Sequence, residues 1–308
     1  MTKAIFIAGA TATGKSNAAI TLAKHMGNAE IISADSMQVY KHMNIGTAKI
    51  TKDEMQGIPH HLIDILEPSE VYSVATFVNL ANSCIEDITS RGCVPIICGG
   101  SGFYISALLY NATFDNEADK LPQLRLELEE LAKNQGSETL HHMLEQNDPI
   151  SAQKIGKNNT KRLIRAIEFF QIYNKPISEH NLAQKNRTMS LDARIFVLYK
   201  DRARLYQDIN TRVDKMIADG LEGEVRGLLA MGYEFSLTSM QAIGYKEMLK
   251  YIMGEISKAD AIELIKKNTR KFAKRQETWF KNQMKEVEFY ESDTFTRCCR
   301  DWQKGPDS

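Results

Sequence analysis

The sequence lacks an excess of charge of either sign, a long hydrophobic run and a leader-like start. Its 39 lysines and arginines balance 39 aspartates and glutamates, so the formal net charge is zero. A neutral chain is not held to nucleic acid by its overall field, and such binding would need a local basic patch. No run approaches the roughly eighteen apolar residues of a membrane span. The apolar stretch Ala4 to Ala8 is too short for the core of a signal peptide, so we expect a cytoplasmic protein without a membrane partner.

Cysteine is also scarce. Five cysteines are present, an odd number, and none of them forms a C-x-x-C pair. The adjacent Cys298 and Cys299 could form a disulfide only under strain. The pattern therefore indicates reduced thiols, as expected in the cytoplasm. Internal repeats and low-complexity tracts are missing as well.

What the sequence does have is an alternation of short β-rich runs and helical stretches. With 308 residues and 43% hydrophobic content, the chain can bury a full core, and its length suggests one large domain with a second smaller one. β-rich runs at Ala4 to Ala8, Glu30 to Ser33 and Val94 to Cys98 are separated by helical spacing over Lys15 to Met26 and Val74 to Arg91. This order predicts an α/β fold with a doubly wound parallel sheet.

The pattern turns all-helical in the middle of the chain, where Asp148-Pro149 is typical of a helix start. A β-rich run at Arg194 to Tyr199 then returns the chain to the sheet. We predict a catalytic core formed by residues 1–114 and 188–308, interrupted by a helical insertion domain at residues 115–187.

A long helix is predicted from Ser257, a plausible N-cap, to Lys285. One stripe of this helix carries Ile265, Phe272, Gln276 and Trp279. The other side is basic, with lysines at spacings of three, four or seven residues: Lys267, Lys271, Lys274, Lys281 and Lys285. Together with Trp279 and Phe280, this face could track an RNA backbone and stack a base, or it could simply be solvated. After Val287 to Tyr290, the tail from Cys298 to Ser308 shows no clear period.

The most specific motif is a phosphate-binding loop. The residues Gly9-Ala10-Thr11-Ala12-Thr13-Gly14-Lys15-Ser16 match G-x-x-x-x-G-K-[ST] between a predicted strand and a predicted helix. The glycines let the backbone N–H groups face a phosphate, the helix N-terminus adds positive potential, and Lys15 supplies a cation. Ser16 would ligate Mg²⁺. The loop predicts a P-loop NTPase-like core that holds a diphosphate or a triphosphate, without revealing whose.

A second strand ending in an Asp, which most NTP-hydrolysing relatives of this loop use to hold Mg²⁺, is missing. The candidate strand Val94 to Cys98 is followed by Gly99-Gly100-Ser101-Gly102 instead, which counts against a motor or switch ATPase. The acidic candidate is Asp35, which follows Glu30 to Ser33 and therefore faces the same crevice as the loop. Asp35 could be a general base, a Mg²⁺ partner through water, or the cap of a turn.

Three other features stay open on the sequence alone. Ser101 could donate to a phosphate or a base edge, or belong to a tight turn. The pairs His60-His61 and His141-His142 have no acidic or thiol partner at ligand spacing, which argues against a metal site. Arg212 lies on a predicted helix and is by itself an ordinary solvated arginine.

In order along the chain, these segments resemble the bacterial tRNA dimethylallyltransferases, also called tRNA isopentenyltransferases. The matching blocks cover nearly the whole chain: Gly9 to Ser16, Asp35 to Tyr40, Ile45 to Lys49, Pro59 to Asp64, Gly99 to Tyr104, Arg162 to Glu168, Ile243 to Lys246 and Thr269 to Trp279. The departures are mild. Ala10 stands where the family usually has Pro, and Ser16 and Ser101 stand where it often has Thr.

The resemblance implies transfer of a dimethylallyl group from dimethylallyl diphosphate to N6 of the adenosine at tRNA position 37, just 3′ of the anticodon. Diphosphate is the leaving group and no ATP is consumed. In that interpretation Lys15, Ser16 and the loop amides hold the donor's diphosphate with Mg²⁺. Arg212 matches the arginine that steadies the departing charge, and Asp35 matches the residue that orients and deprotonates the amine. We expect a monomer.

The resemblance also implies that the insertion domain clasps the anticodon stem-loop and that the target adenosine is flipped out of its stack. The implied tRNA contacts are Asp35, Ser36, Met37, Gln38, Ser101, Arg125, Lys161, Arg162, Leu163, Ile164, Arg165, Gln241, Ala242, Ile243, Gly244, Tyr245, Lys246, Lys274, Arg275, Gln276, Trp279 and Lys281. In this interpretation the protein, although neutral overall, binds RNA through a local basic patch.

Three alternatives share some of these features. An adenylate isopentenyltransferase, which prenylates free AMP, ADP or ATP, has the loop and the base but should lack the RNA-clasping C-terminal helix. A P-loop small-molecule kinase would bind ATP and use Asp35 to activate a hydroxyl. An RNA-binding protein with a degenerate loop is opposed by the intact Lys15 and Ser16.

Overall fold

The computed structural model describes residues 3–111, 122–185, 188–284 and 287–300. The chain divides into two compact units, Met1–Asn111 with Met189–Ser308, and Ala112–Thr188. The predicted domain boundaries, at 114/115 and 187/188, fall on or beside residues 112–121 and 186–187, which lie outside the described residues. They stay predictions.

The first unit is built on a parallel sheet with the strand order β3-β2-β4-β1-β5-β6. The strands are β1 Lys3–Gly9, β2 Ala29–Ser33, β3 His60–His61, β4 Val94–Gly99, β5 Asp192–Tyr199 and β6 Glu288–Glu291. In the centre, Ile5 of β1 lies opposite Ile96 of β4 on one side and Arg194 of β5 on the other. The predicted α/β fold with a parallel sheet is confirmed.

Helices join the strands and form the second unit. In chain order they are α1 Lys15–Met26, α2 Lys52–Met55, α3 Val74–Ser90, α4 Gly102–Leu109, α5 Pro122–Gln135, α6 Ser137–Asn147, α7 Pro149–Lys154, α8 Thr160–Tyr173, α9 Ile177–Lys185, α10 Arg202–Ala218, α11 Leu221–Ala230, α12 Tyr245–Ile252, α13 Lys258–Gln283 and α14 Ser292–Arg300. None of the helices in the described part of the chain combines the length and the apolarity that crossing a membrane would require.

Local capping signals set several helix starts. The Asp148 side chain accepts from the N–H of Ser151 at the start of α7, and the Ser257 hydroxyl accepts from the N–H of Asp260 at the start of α13. Each such bond satisfies one of the N–H groups that a helix leaves unpaired in its first turn. Both starts were predicted, because the capping residue lies within a few positions of the groups it binds.

The last described helix, α14, belongs to the core, which its sequence did not reveal. Phe295 and Cys299 of α14 are buried in one cluster with residues of α1 and β5, and the ring of Phe295 lies 4.9 Å from that of Phe196. The Ser292 hydroxyl also donates to the carbonyl of Thr13 in the phosphate-binding loop. A four-residue strand and a nine-residue helix are too short to show a convincing period. The predicted aperiodic tail, Cys298 to Ser308, is wrong at its first residues, because α14 continues to Arg300, while residues 301–308 lie outside the described part.

The second unit has a hydrophobic core of its own. It is formed by apolar residues of α5 to α8, among them Leu128, Leu144, Leu163, Ile164 and Ile167. The two family-block residues Leu163 and Ile164 thus act in packing.

The buried stripe of α13 differs from the predicted one. Ile265 and Gln276 are buried as expected, but Phe272 is 36% exposed and Phe280 is 1% exposed. The buried stripe runs through Ala273 and Phe280, whereas the prediction placed it one position earlier, at Phe272 and Trp279. An exposed helix tolerates an apolar side chain on either flank of its buried face, so the positions of apolar residues do not fix the stripe to a single residue. The prediction that Phe280 could stack a base is wrong, and Lys285 lies outside the described residues.

Candidate active site

The phosphate-binding loop connects β1 to α1 at the carboxyl end of a central strand. Gly14 has φ +90° and Ala12 has φ +63°, a left-handed backbone that turns the chain sharply into α1. Gly14 has no side chain to cap the helix, and the N-terminus of α1 is therefore open to an anion. Ser16 is exposed on the first turn. This geometry suits a bound phosphate group.

Lys15 bends back across the loop. Its Nζ donates to the carbonyl oxygen of Ala10 over 2.6 Å. Burial of the ammonium group lowers the pKa of Lys15 to about 8; the nearby Arg212 guanidinium acts in the same direction, whereas Cys98 and Asp35 oppose it. A phosphate group in the loop would supply the buried Lys15 ammonium with a counter-charge.

Diphosphate binding should therefore take up a proton above pH 8. An anion favours the charged ammonium and raises the pKa of Lys15, so at pH 8.5 we expect uptake of about 0.7 proton, and an affinity roughly tenfold weaker at pH 9 than at pH 7. Titration calorimetry with inorganic diphosphate and Mg²⁺, in buffers of different ionisation enthalpy, measures both quantities.

The matched control is Lys15→Arg, whose side chain stays charged at every pH used. Protons bound or released by diphosphate itself are common to both proteins, so the difference reports Lys15 alone. Equal proton uptake by the two proteins would show that Lys15 is already charged in the free loop.

Asp35 follows β2 and is half-buried. Its Oδ1 accepts from the N–H of Met37 over 2.8 Å and from that of Gln38 over 3.4 Å. Asp35 therefore caps a turn, which is one of the three predicted roles. Its charge also acts on Lys15 and Arg212, as expected of an acidic group in the crevice of the loop.

Arg212 projects from α10 onto the phosphate-binding loop. Its Nη1 donates to the hydroxyl of Thr11 over 3.2 Å. Burial lowers the pKa of Arg212, and the Asp35 carboxylate opposes that shift. The interpretation of Arg212 as an ordinary solvated arginine is wrong, because packing against a loop two hundred residues away decides its environment.

Aromatic side chains lie near Asp35. The rings of Tyr72 and Tyr104 are 5.9 Å apart edge to face, and Phe77 stacks on Tyr104 at 4.9 Å. Burial raises the pKa of Tyr104 to about 12, and Asp35 acts in the same direction on both tyrosines. The buried Tyr72 hydroxyl has no hydrogen-bond partner in the described part of the protein. Tyr72 carried no sequence signal, since it lies in no motif.

Ser101 stands directly before α4 and is half-buried, and its side chain does not cap that helix. The histidine pairs are structural: His61 bonds to Glu30 over 2.7 Å, and His141 bonds to the carbonyl of Ala152 over 3.0 Å. No group of three or more His, Cys, Asp or Glu side chains suited to a metal occurs within the described ranges. A metal at the loop could take a ligand from Ser16, and phosphate oxygens and waters could provide others.

The basic helix α13 is fastened to the phosphate-binding loop. Gln276, which was implied to contact tRNA, is 8% exposed; its Oε1 accepts from the N–H of Thr11 and its Nε2 donates to the carbonyl of Gly100, each over 2.9 Å. A tRNA contact by the Gln276 side chain is not supported, because both ends of the amide are already bonded within the protein.

The outer face of α13 is free of such bonds to the loop. Lys274, Arg275 and Lys281 are exposed and Trp279 is half-buried. A groove of about 320 Å³ is lined by Lys274, Arg275, Thr278, Trp279, Asn282 and Gln283. Of the implied tRNA contacts on this helix, these exposed residues are the ones open to RNA.

Glu224 of α11 organises a loop that the sequence left unexplained. Its carboxylate accepts from the N–H groups of Asn44, Ile45 and Gly46 over 2.8 to 3.0 Å, and from the hydroxyl of Tyr245 over 2.6 Å. This contact joins two of the family blocks in space. Tyr245 is fully buried, so a tRNA contact by its side chain is not supported.

The neighbours of Tyr245 are more accessible. Gln241 is exposed, and Ala242, Ile243 and Lys246 are half-buried, whereas Gly244 is buried.

In the second unit, the exposed residues of the family block on α8 are Lys161, Arg162 and Arg165. Leu163 and Ile164 are buried in the core of that unit, so their side chains cannot reach RNA. On α5, Arg125 forms a bidentate ion pair with the buried Glu168, with nitrogen–oxygen distances of 2.8 and 2.6 Å. Within this block, the helical period therefore places the two apolar residues in the core and the three basic residues on the surface.

The family profile described as IPP transferase matches residues 38–283, and the one described as isopentenyl transferase matches residues 2–70. A tRNA dimethylallyltransferase of Lachnoclostridium phytofermentans is 50% identical over 279 residues, 91% of this chain and 88% of the relative. Another of that name, from Caldanaerobacter subterraneus, is 49% identical over 90% of this chain and 88% of the relative.

Solved structures agree. A tRNA isopentenylpyrophosphate transferase of Staphylococcus epidermidis is 43% identical, with a TM-score of 0.70 over 98% of this chain and 97% of that one. A eukaryotic dimethylallyltransferase acting on tRNA is 31% identical, with a TM-score of 0.81 over 95% of this chain and 74% of that one.

Proposed function

Since this chain belongs to the IPP transferase family of bacterial tRNA dimethylallyltransferases, we propose that it transfers a dimethylallyl group from dimethylallyl diphosphate to N6 of adenosine 37 in tRNA. The observation that carries the proposal is the meeting of three charged groups at one loop. Lys15 crosses the loop, Arg212 is bonded to Thr11 within it, and the Asp35 charge acts on both.

The first task of the site is to make diphosphate leave. The loop N–H groups and Lys15 bind the diphosphate of the donor, and Arg212, which is bonded to Thr11 of the loop, supplies a second cation. As the bond between the allylic carbon and the oxygen breaks, negative charge grows on that oxygen, and fixed cations stabilise it more strongly than they stabilise the bound donor. The phosphate-binding loop thus holds the leaving group.

The second task is to prepare the acceptor. An adenine amine is a weak nucleophile because its lone pair is delocalised into the ring. As the new bond forms between N6 and the allylic carbon, N6 must lose a proton, and the Asp35 carboxylate accepts it. The turn that Asp35 caps fixes one of its oxygens and leaves the other for the amine.

A divalent metal, which we propose is Mg²⁺, fits the loop. Ser16 offers one hydroxyl at the start of α1, and Mg²⁺ typically binds few protein groups while keeping waters and phosphate oxygens as its other ligands. Bound there, the metal would supply further positive charge to the diphosphate. Asp35 would act on it only through water.

The tRNA partner explains the basic residues that face outward. Lys274, Arg275 and Lys281 on α13, and Lys161, Arg162 and Arg165 on α8, are exposed cations suited to phosphates. We propose that they hold the anticodon stem-loop, that the acceptor adenosine is flipped toward Asp35, and that the protein acts as a cytoplasmic monomer.

The alternatives account for less of the molecule. An adenylate isopentenyltransferase or a small-molecule kinase needs the loop and Asp35 but has no use for the 26-residue basic helix that is bonded to the loop. The resemblance to enzymes named for tRNA points the same way.

Labelled donors test the function. We incubate the protein with dimethylallyl diphosphate labelled in the prenyl group, or with ATP labelled in the γ-phosphate, each with and without unmodified tRNA. Prenyl label should appear in tRNA, at N6 of adenosine 37 after digestion. Prenyl label on free nucleotide, or phosphate transfer from ATP, would overturn the proposal in favour of one of the alternatives.

A further inference from the structure

One buried amide joins three parts of the active site. Gln276 lies on the inner face of α13, where its oxygen binds the N–H of Thr11 and its nitrogen binds the carbonyl of Gly100. Thr11 belongs to the phosphate-binding loop after β1, and Gly100 belongs to the turn after β4. These strands are neighbours in the sheet, and Gln276 bridges their carboxyl ends.

The bridge demands a glutamine. The side chain at this position must carry a hydrogen-bond acceptor and a hydrogen-bond donor about two ångströms apart. A primary amide has both, whereas a carboxylate only accepts and an ammonium only donates. The two backbone groups lie in turns, and neither is bonded to the sheet. Without Gln276 the Thr11 N–H would lose its partner, a state that proteins avoid, and the Gly100 carbonyl would keep its bond from the N–H of Gly102.

The bridge continues to the catalytic arginine. The same Thr11 whose N–H is held by Gln276 offers its hydroxyl to Nη1 of Arg212. Both ends of the Gln276 amide are bonded to backbone groups of the protein. Its bond to Thr11 holds the backbone of the residue whose hydroxyl meets Arg212.

The packing around the bridge leaves α13 little freedom. A Cβ atom on Gly102 would clash with the ring of Trp279, so α13 rests directly on the start of α4. Gln276 and Trp279 are three residues apart and so share one side of the helix. The segment that carries the exposed Lys274 and Arg275 is thus held to the phosphate-binding loop by Gln276 and to the start of α4 by Trp279.

We propose that Gln276 is a positioning residue for the transfer reaction, which sets Thr11 and, through it, Arg212, and that it is not a tRNA contact. This inference rests on the proposed function, because it assigns to Gln276 the orientation of the group that stabilises the leaving diphosphate. Its action follows a defined path of two hydrogen bonds.

Gln276→Met keeps the length and volume of the side chain and removes both bonds. We expect the single-turnover rate of prenyl transfer to fall about 10- to 100-fold, as is typical when a catalytic group is misplaced. The Kd for tRNA should change less than threefold. Lys274→Ala, on the exposed face of the same turn, is the matched control and should instead weaken tRNA binding with a smaller effect on the rate.

Thr11→Val tests the path itself. It removes the hydroxyl to which Arg212 donates and retains the backbone N–H that Gln276 binds. Thr11 is half-buried, and valine has nearly the same shape as threonine. If Gln276 acts through Thr11, the double variant should be no slower than the slower single variant, whereas independent effects would multiply. Thermal unfolding of each variant reports whether it is folded.

The outcomes separate this inference from the function it builds on. Failure of the wild-type protein to move prenyl label into tRNA overturns the proposed function. If the wild-type protein succeeds, then an unchanged rate in Gln276→Met, a loss of tRNA affinity in place of rate, or multiplicative effects with Thr11→Val overturns the positioning role.

Discussion

Replacing Asp35 by asparagine is expected to lower the rate of prenyl transfer by about two to four orders of magnitude while leaving tRNA affinity within a few-fold of wild type. The expected loss reflects the missing proton acceptor, since an amide cannot take the proton that N6 must release. Single-turnover transfer with saturating donor and tRNA measures the rate, and filter binding measures the affinity.

Asparagine is the informative substitution because Asp35 also caps a turn. Its side-chain oxygen can still accept from the N–H groups of Met37 and Gln38, so the local backbone is retained. Asp35→Ala loses both roles. If the asparagine variant were as active as wild type and only the alanine variant were slow, Asp35 would be a structural residue and the general base would have to be sought elsewhere.

The second large effect is expected at Arg212. Arg212→Gln should lower the transfer rate by about two to three orders of magnitude, because it removes a fixed positive charge beside the leaving diphosphate. The KM for the donor should rise much less, since the charge on the diphosphate is greatest as the carbon–oxygen bond breaks. Arg212→Lys should recover little activity, because an ammonium lacks the planar geometry of the guanidinium.

The control for this experiment lies on the same helix. Arg202, the first residue of α10, is exposed, so Arg202→Gln changes the net charge equally without altering the crevice. A similar loss of rate in both variants would indicate a general charge effect. A raised KM with an unchanged rate in Arg212→Gln would mean that Arg212 only binds the donor.

The local features of the fold and site were predictable from the sequence. The phosphate-binding loop, the strand before it, the cap at Ser257 and the turn at Asp35 each depend on residues within a few positions of one another. Short-range sterics and hydrogen bonds specify such features, and a single sequence records them directly.

The sequence predicted less well which side chains are buried and which groups they bind. Phe280, one of two aromatic residues that could stack a base, is in the core, and Leu163 and Ile164 lie inside the second unit. Gln276 and Tyr245, implied as tRNA contacts, are bonded within the protein. A motif marks a residue as important, but its burial shows whether the side chain packs inside the protein or is accessible to a ligand.

The sequence by itself determined the chemistry available at the first loop: a curled backbone at a helix start, one lysine, one hydroxyl, and an acidic residue after the neighbouring strand. Only the tertiary structure decided which distant groups complete it. Arg212, Gln276 and Ser292 reach the loop from helices far along the chain. The physical reason is that chain folding brings these residues together through burial of apolar faces, a process without a short-range signature, so no local pattern records which side chains will meet.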